Sequence, residues 1–130
     1  MKILLETNAL LWAFYAPEKL TPKARKAFLE AEGVLYSVVT LWEIGLKMSR
    51  GGFRDIEVPE DWQVSLIAEL GTPLFTMLPV EFAHCRMIQD LVFHHKDPFG
   101  PMIIAQALER ELAVVGSDQK PDKYGVERIW

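Results

Sequence analysis

One cysteine, Cys85, in 130 residues leaves no partner for an internal disulfide and no set of thiolates for a metal cage. That scarcity fits a reducing, cytoplasmic setting, with core packing as the expected role of the thiol. Long apolar runs are missing as well: Met1-Lys2-Ile3-Leu4-Leu5 reaches Glu6 after three apolar positions, too few for a signal-peptide core or a membrane span. No membrane association is expected. Positive charge is in deficit, with 14 Lys and Arg against 18 Asp and Glu and a formal net charge of −4, so no global field draws the chain to nucleic acid. Any RNA contact has to be local. Repeats, low-complexity stretches and linkers are absent, and residues 1–130 read as one domain. There is also no glycine-rich phosphate loop of the P-loop kind and no nucleophilic serine elbow, which disfavours another magnesium-dependent hydrolase or phosphatase.

What is present is the composition of an ordinary soluble globular protein, 50% hydrophobic and 25% charged. Apolar, β-branched or aromatic runs mark strands at residues 2–5, 34–39 and 113–116, a weaker one at 74–78 and a short final edge strand within 124–130. Helices are expected between them. The first runs from Ala9 to Tyr15 with Asn8 as its cap, and the second follows Thr21-Pro22 and closes at Gly33. A third, capped by Thr40, carries Leu41 to Lys47 and breaks at Gly51-Gly52. Pro59-Glu60-Asp61-Trp62 opens a fourth with Trp62, Leu66, Ile67 and Leu70 on one face, ended by Gly71. Pro79 starts a fifth, and Gly100-Pro101 starts a sixth as cap and first helical residue. Strands alternating with helices predict an α/β fold, with a mainly parallel sheet of four or five strands between helical layers.

Three acids stand at the same structural place: Glu6 after the first strand, Glu43 on the helix after the second, and Asp118 after the strand ending at Val115. Ligands of open parallel sheets bind beyond the carboxyl ends of the strands, where such residues can converge. Carboxylates crowded together repel, and either a proton or a cation such as Mg²⁺ or Mn²⁺ relieves them. Glu6, Glu43 and Asp118 are therefore candidate metal ligands. The competing account is that acids at helix starts are capping and dipole partners and that Glu43 with Lys47 is a helical salt pair. His84, His94 and His95 lack the spacing of a zinc site. His94, His95 and Lys96 are either phosphate contacts or a solvated loop, and Lys47, Arg50 and Arg54 either guide RNA or serve solubility.

The chain resembles the PIN-domain family, especially the toxin halves of VapBC-type toxin–antitoxin pairs, over nearly its whole length. The carriers are Leu4-Leu5-Glu6-Thr7-Asn8 against a usual L-L-D-T-N, Leu41-Trp42-Glu43-Ile44 as a W-E-I helix start, and His95-Lys96-Asp97-Pro98-Phe99 against an H-R-D-P-F-D-R segment. Ile104-Ala105-Gln106-Ala107, Ser117-Asp118 and the ending Tyr124-Gly125-Val126 with Ile129-Trp130 complete it. The resemblance implies a PIN-like three-layer α/β/α fold and a Mg²⁺-dependent (or Mn²⁺-dependent) endoribonuclease acting on tRNA or other structured RNA. It also implies a cognate antitoxin and a homodimer. Carried over by position, Glu6, Glu43, Asp97 and Asp118 are catalytic candidates, and Thr7, Asn8 and Ser117 are supporting polar residues. The apolar surface of Trp12, Phe14 and Tyr15 is either core or an antitoxin-binding groove.

Two positions depart from the family pattern. Glu6 stands where an aspartate is usual, and its extra methylene displaces the carboxyl by roughly an ångström. Gly100-Pro101 stands where Asp-Arg is usual, so a metal-facing carboxylate and a nearby cation are both missing. Asp97, three residues upstream, is either a partial replacement or a turn acid. The sequence thus supports a ribonuclease of weakened or lost activity, and alternatively a catalytically silent binding module that keeps the dimer and antitoxin surfaces.

Overall fold

The computed structural model describes residues 1–91 and 97–130, so His94, His95 and Lys96 lie outside the described residues. Side-chain alternation in the first strand sets the layers. In β1 (Lys2–Leu5), Ile3 and Leu5 enter one core and Leu4 the other, and all three are buried. A strand apolar on both faces has to lie inside a sheet covered on both sides. β1 is the centre of a five-stranded, all-parallel sheet of order β3-β2-β1-β4-β5, with β2 (Gly33–Ser37), β3 (Phe75–Leu78), β4 (Ala113–Val115) and β5 (Arg128–Ile129).

Six helices among the described residues complete a three-layer α/β arrangement. The core on the Ile3 and Leu5 side is filled from α1 (Thr7–Tyr15), α2 (Pro22–Glu30) and α4 (Trp62–Leu70), with Ile44 from α3 (Val38–Met48). The opposite core is filled mainly by α6 (Phe99–Arg110), on which α5 (Phe82–Asp90) packs. Residues 101–107 of α6 are all buried, including Gln106. Gln106 is accommodated because its Nε2 donates to the carbonyls of Leu78 (3.4 Å) and Pro79 (3.1 Å), where β3 ends.

Several helix starts differ from the sequence expectation, and for α1 and α3 a local hydrogen bond is the cause. α1 begins at Thr7, with Glu6 rather than Asn8 at the cap position, because the Glu6 carbonyl accepts from Leu10 N–H at 3.0 Å. α3 begins at Val38, because Ser37 Oγ accepts from Val39 N–H at 3.1 Å. Thr40, expected as that cap, is inside the helix. α4 begins at Trp62 and α5 at Phe82, later than their prolines, and α6 begins at Phe99, making Gly100 its second residue and Pro101 its third. Gly33 opens β2 rather than closing α2.

Burial corrects two further expectations and decides one that was left open. Ile67 is 66% exposed although Leu66 and Leu70 are buried, and Cys85 is exposed rather than packed in the core. The aromatics of α1 are spent internally: Trp12 packs on Trp130, Phe14 on Phe75, and Tyr15 Oη bonds Ser65 Oγ at 2.7 Å. An apolar groove among the described residues is lined from α4 and its neighbours, including Tyr36, Leu41, Trp62 and Ile67. No described helix is long and apolar enough to cross a membrane.

Candidate functional site

The chain leaves β1 for β2 on one side and reaches β4 on the other, so a crevice opens between the ends of β1 and β4. Glu6 and Asp118 flank it. Glu6 N–H donates to the Val115 carbonyl at 3.0 Å, extending the ladder one residue past the strand, while its own carbonyl starts α1. Both ends of the residue are thereby fixed, and its side chain is directed over Gly116. A Cβ at position 116 would overlap the Glu6 carboxyl. Gly116→Ala is therefore expected to cost about 1–3 kcal/mol by overpacking and to displace Glu6, which denaturant unfolding and cation titration of the variant would reveal.

The remaining acids arrive from separate elements. Asp118 Oδ1 accepts from Lys120 N–H at 2.9 Å, a local turn that fixes its carboxyl at the crevice. Glu43, only 7% exposed on α3, accepts from Lys47 Nζ at 2.6 Å, so the expected helical pair forms. Thr7 and Thr40 share a buried hydroxyl bond of 3.0 Å that ties the start of α1 to α3, holding Glu6 and Glu43 on adjoining elements. Trp42 rests edge-on against Phe99, with ring centroids 4.8 Å apart, and so joins α3 to the start of α6. Asp97 Oδ1 accepts from Phe99 N–H at 2.9 Å, which is the turn-acid role weighed for it.

One cavity of about 230 Å³ is lined by Glu6, Thr7, Asn8, Glu43, Asp97, Gly100 and Asp118, together with Lys47 and Lys120. Of the eight positions singled out from sequence, Ser117 is the one not lining it; its backbone N–H instead steadies the Glu6 charge. Burial pushes the Glu6 carboxyl from 4.5 up to about 7, and the Asp118 and Glu43 carboxylates add to the rise. The backbone N–H groups of Asp118 and Ser117 oppose it; Asp118 N–H lies 3.5 Å from Glu6 Oε1.

These donors are all oxygens, the kind that hard divalent cations prefer. The rise at Glu6, owed first to burial and then to its acidic neighbours, disfavours a bare carboxylate there, and a divalent cation would relieve it, so the residues fit such a cation. Among the described residues, no three His, Cys, Asp or Glu side chains already close on one point as a finished cage. Three of the acids instead face ammoniums, Glu43 that of Lys47 and both Asp118 and Asp97 that of Lys120.

Sequence reasoning passed over Lys120 and Gly116. Their only signal was proximity to Asp118, since a lysine or glycine in a loop has no pattern of its own. It also left His84 without a role; the residue is 1% exposed, its Nδ1 accepts from Glu81 N–H at 2.9 Å, and its Nε2 faces Glu109 at 3.4 Å. That histidine caps α5.

The family model described as PIN domain matches residues 3–127. No curated protein matches the chain in sequence. Among solved structures, the chain is similar to VapBC2 from Rickettsia felis bound to a DNA fragment from its promoter, at 13% identity and TM-score 0.64, covering 98% of this chain and 97% of that one. It is also similar to FitAcB from Neisseria gonorrhoeae, at 21% identity and TM-score 0.61, covering 98% and 96%. DNA-bound VapBC from Salmonella typhimurium is matched at 18% identity and TM-score 0.63, again over 98% and 96%. At these identities the likeness is one of fold.

Proposed function

Since the chain belongs to the PIN-domain family, we propose that it is a Mg²⁺- or Mn²⁺-dependent endoribonuclease, the toxin half of a VapBC-like pair, with a site weakened at two positions. The observation that carries this reading is the meeting of Glu6, Glu43, Asp97 and Asp118 on one cavity at the β1/β4 crevice, with the Glu6 carboxyl raised by burial and its acidic neighbours. Glu6, Glu43 and Asp118 are the residues that would hold the cation. A bound divalent cation supplies charge neutralisation at a phosphodiester and activation of the attacking water. Thr7, tied to Thr40, keeps Glu6 and Glu43 in register, and Asn8 offers an amide to substrate or water. Structured RNA is the proposed substrate class, and an antitoxin and a second copy of the chain are the proposed protein partners.

A second reading, a PIN-fold binding module without catalysis, is favoured by Gly100, which gives the cavity no carboxylate, and by the lysines already facing Glu43 and Asp118. Cleavage of a mixed tRNA pool with and without Mn²⁺ separates the two. The ribonuclease reading expects slow, Mn²⁺-dependent cleavage that Glu43→Gln reduces by at least about a hundredfold, the usual scale for loss of a group acting on the reacting centre. Cleavage untouched by Glu43→Gln would remove this site from consideration, and no cleavage at any Mn²⁺ concentration would leave the binding module.

A further inference from the structure

Lys120 bridges two acids that the chain brings together from distant places. Its Nζ lies 3.5 Å from Asp118 Oδ2 and 3.9 Å from Asp97 Oδ2, and its side chain is 29% exposed. Asp97 precedes α6 and Asp118 follows β4, so the ammonium spans the mouth of the cavity. It does so beside Gly100, where a Cβ would lie 3.2 Å from the same Asp97 Oδ2. A surface ion pair of ordinary kind joins two solvated side chains and contributes little. Here the backbone pins both acids, because each uses its other oxygen to accept from a main-chain N–H: Asp97 from Phe99 and Asp118 from Lys120. The ammonium therefore meets a fixed pair of carboxylate oxygens on the wall of the cavity that also holds Glu6 and Glu43.

We propose that Lys120 is a built-in counter-cation of this cavity, its ammonium holding Asp97 and Asp118 in the metal-free protein and competing with a divalent cation for them. The inference rests on the acidic cavity being a cation site. A fixed positive charge a few ångströms from an incoming dication repels it and also engages an oxygen the dication needs, so both effects lower cation affinity. Among the described residues, Glu6 alone of the four acids has no ammonium within ion-pair distance. Among the described residues the cavity is thus partly neutralised, with Glu6 facing backbone N–H groups but no ammonium.

Manganese titration by calorimetry, at mildly alkaline pH, of the unmodified chain, Lys120→Met, Lys120→Arg and Asp118→Asn tests this. Lys120→Met is expected to bind Mn²⁺ roughly tenfold more tightly than the unmodified chain, with a larger rise in melting temperature on adding the ion. Lys120→Arg, which keeps the charge, is expected to stay near the unmodified affinity, and Asp118→Asn to lose binding. Equal Mn²⁺ affinity in the unmodified chain and Lys120→Met, with Asp118→Asn still abolishing binding, would overturn the role of Lys120 while leaving the cation site standing. Absence of Mn²⁺ binding in all four would overturn the cation site and Lys120's role with it. A folded Lys120→Met that binds more weakly would make the lysine a support of the site rather than a competitor.

Discussion

Glu6→Gln is expected to stabilise the metal-free protein by about 2 kcal/mol above pH 7 and to change nothing below about pH 4. The folded carboxyl titrates near 7, against 4.5 in an ordinary setting, mainly because it is buried and then because Asp118 stands beside it. For a carboxyl raised in this way, both folded and unfolded chains are protonated at low pH, and glutamate behaves there like glutamine. Between 4.5 and 7 the folded chain keeps a proton that the unfolded chain has released, so stability falls as pH rises. The loss is complete once the folded carboxyl has ionised. A shift of this size corresponds to at most about 3 kcal/mol, and partial relaxation brings the expected gain nearer to about 2. Glutamine keeps the shape and removes the charge. Urea unfolding of both proteins in chelator, at acid and at alkaline pH, measures the difference; equal stabilities at both would show that burial at position 6 carries no electrostatic cost.

The same substitution is expected to remove divalent-cation binding, so stability and site chemistry move in opposite directions at one residue. A cation supplies the compensation that glutamine makes unnecessary. Mn²⁺ should accordingly stabilise the unmodified chain more at alkaline than at acid pH, because below about 7 the ion must displace the Glu6 proton. Thermal melts with and without Mn²⁺ across that range check the direction.

The sheet was largely legible in the sequence because its central strands are apolar on both faces and short, with turn residues between them. β1 and β4 are buried throughout their hydrophobic positions, and five parallel strands fall at or within a residue or two of the apolar runs. Helix starts were less legible, since Asn8, Thr40 and Gly100 are all acceptable caps and only the tertiary frame decides among competitors. Once β1 pairs with β4 through Glu6 N–H, α1 has to begin at Thr7. Once Asp97 accepts from Phe99 N–H, Gly100 is carried into the helix. Glu6, Glu43 and Asp118 were readable because the position of each follows from the end of a strand or the helix after it, whereas Asp97 came only from the family resemblance. Their counter-charges were not, because Lys120 reaches Asp97 across a gap in sequence that no spacing rule describes.

Restoring carboxylates of the usual length, by Gly100→Asp with Glu6→Asp, is expected to tighten Mn²⁺ binding by roughly tenfold to a hundredfold and to raise RNA cleavage. Gly100 lines the cavity from the first turn of α6 beside Asp97, so an aspartate there adds a second carboxylate to that wall, at a helix start that favours negative charge. The gain has a local cost. Asp97 already caps this turn, and the new Cβ would sit 3.2 Å from its Oδ2, so the metal-free single variant is expected to be less stable than the parent. The cation should reverse that order by drawing the two carboxylates together. Glu6→Asp contributes less, because it shortens an existing ligand rather than adding one, and it draws the carboxyl back from its close seat over Gly116. Pro101 still denies the site the cation that usually follows, leaving Lys120 and Lys47 as the described ammoniums lining the cavity. Titration and tRNA cleavage by the parent, both single variants and the double variant measure each contribution. A parent that cleaves as well as the double variant, through an activity abolished by Glu43→Gln, would show that Asp97 completes the site and that Gly100 removes nothing the chemistry requires.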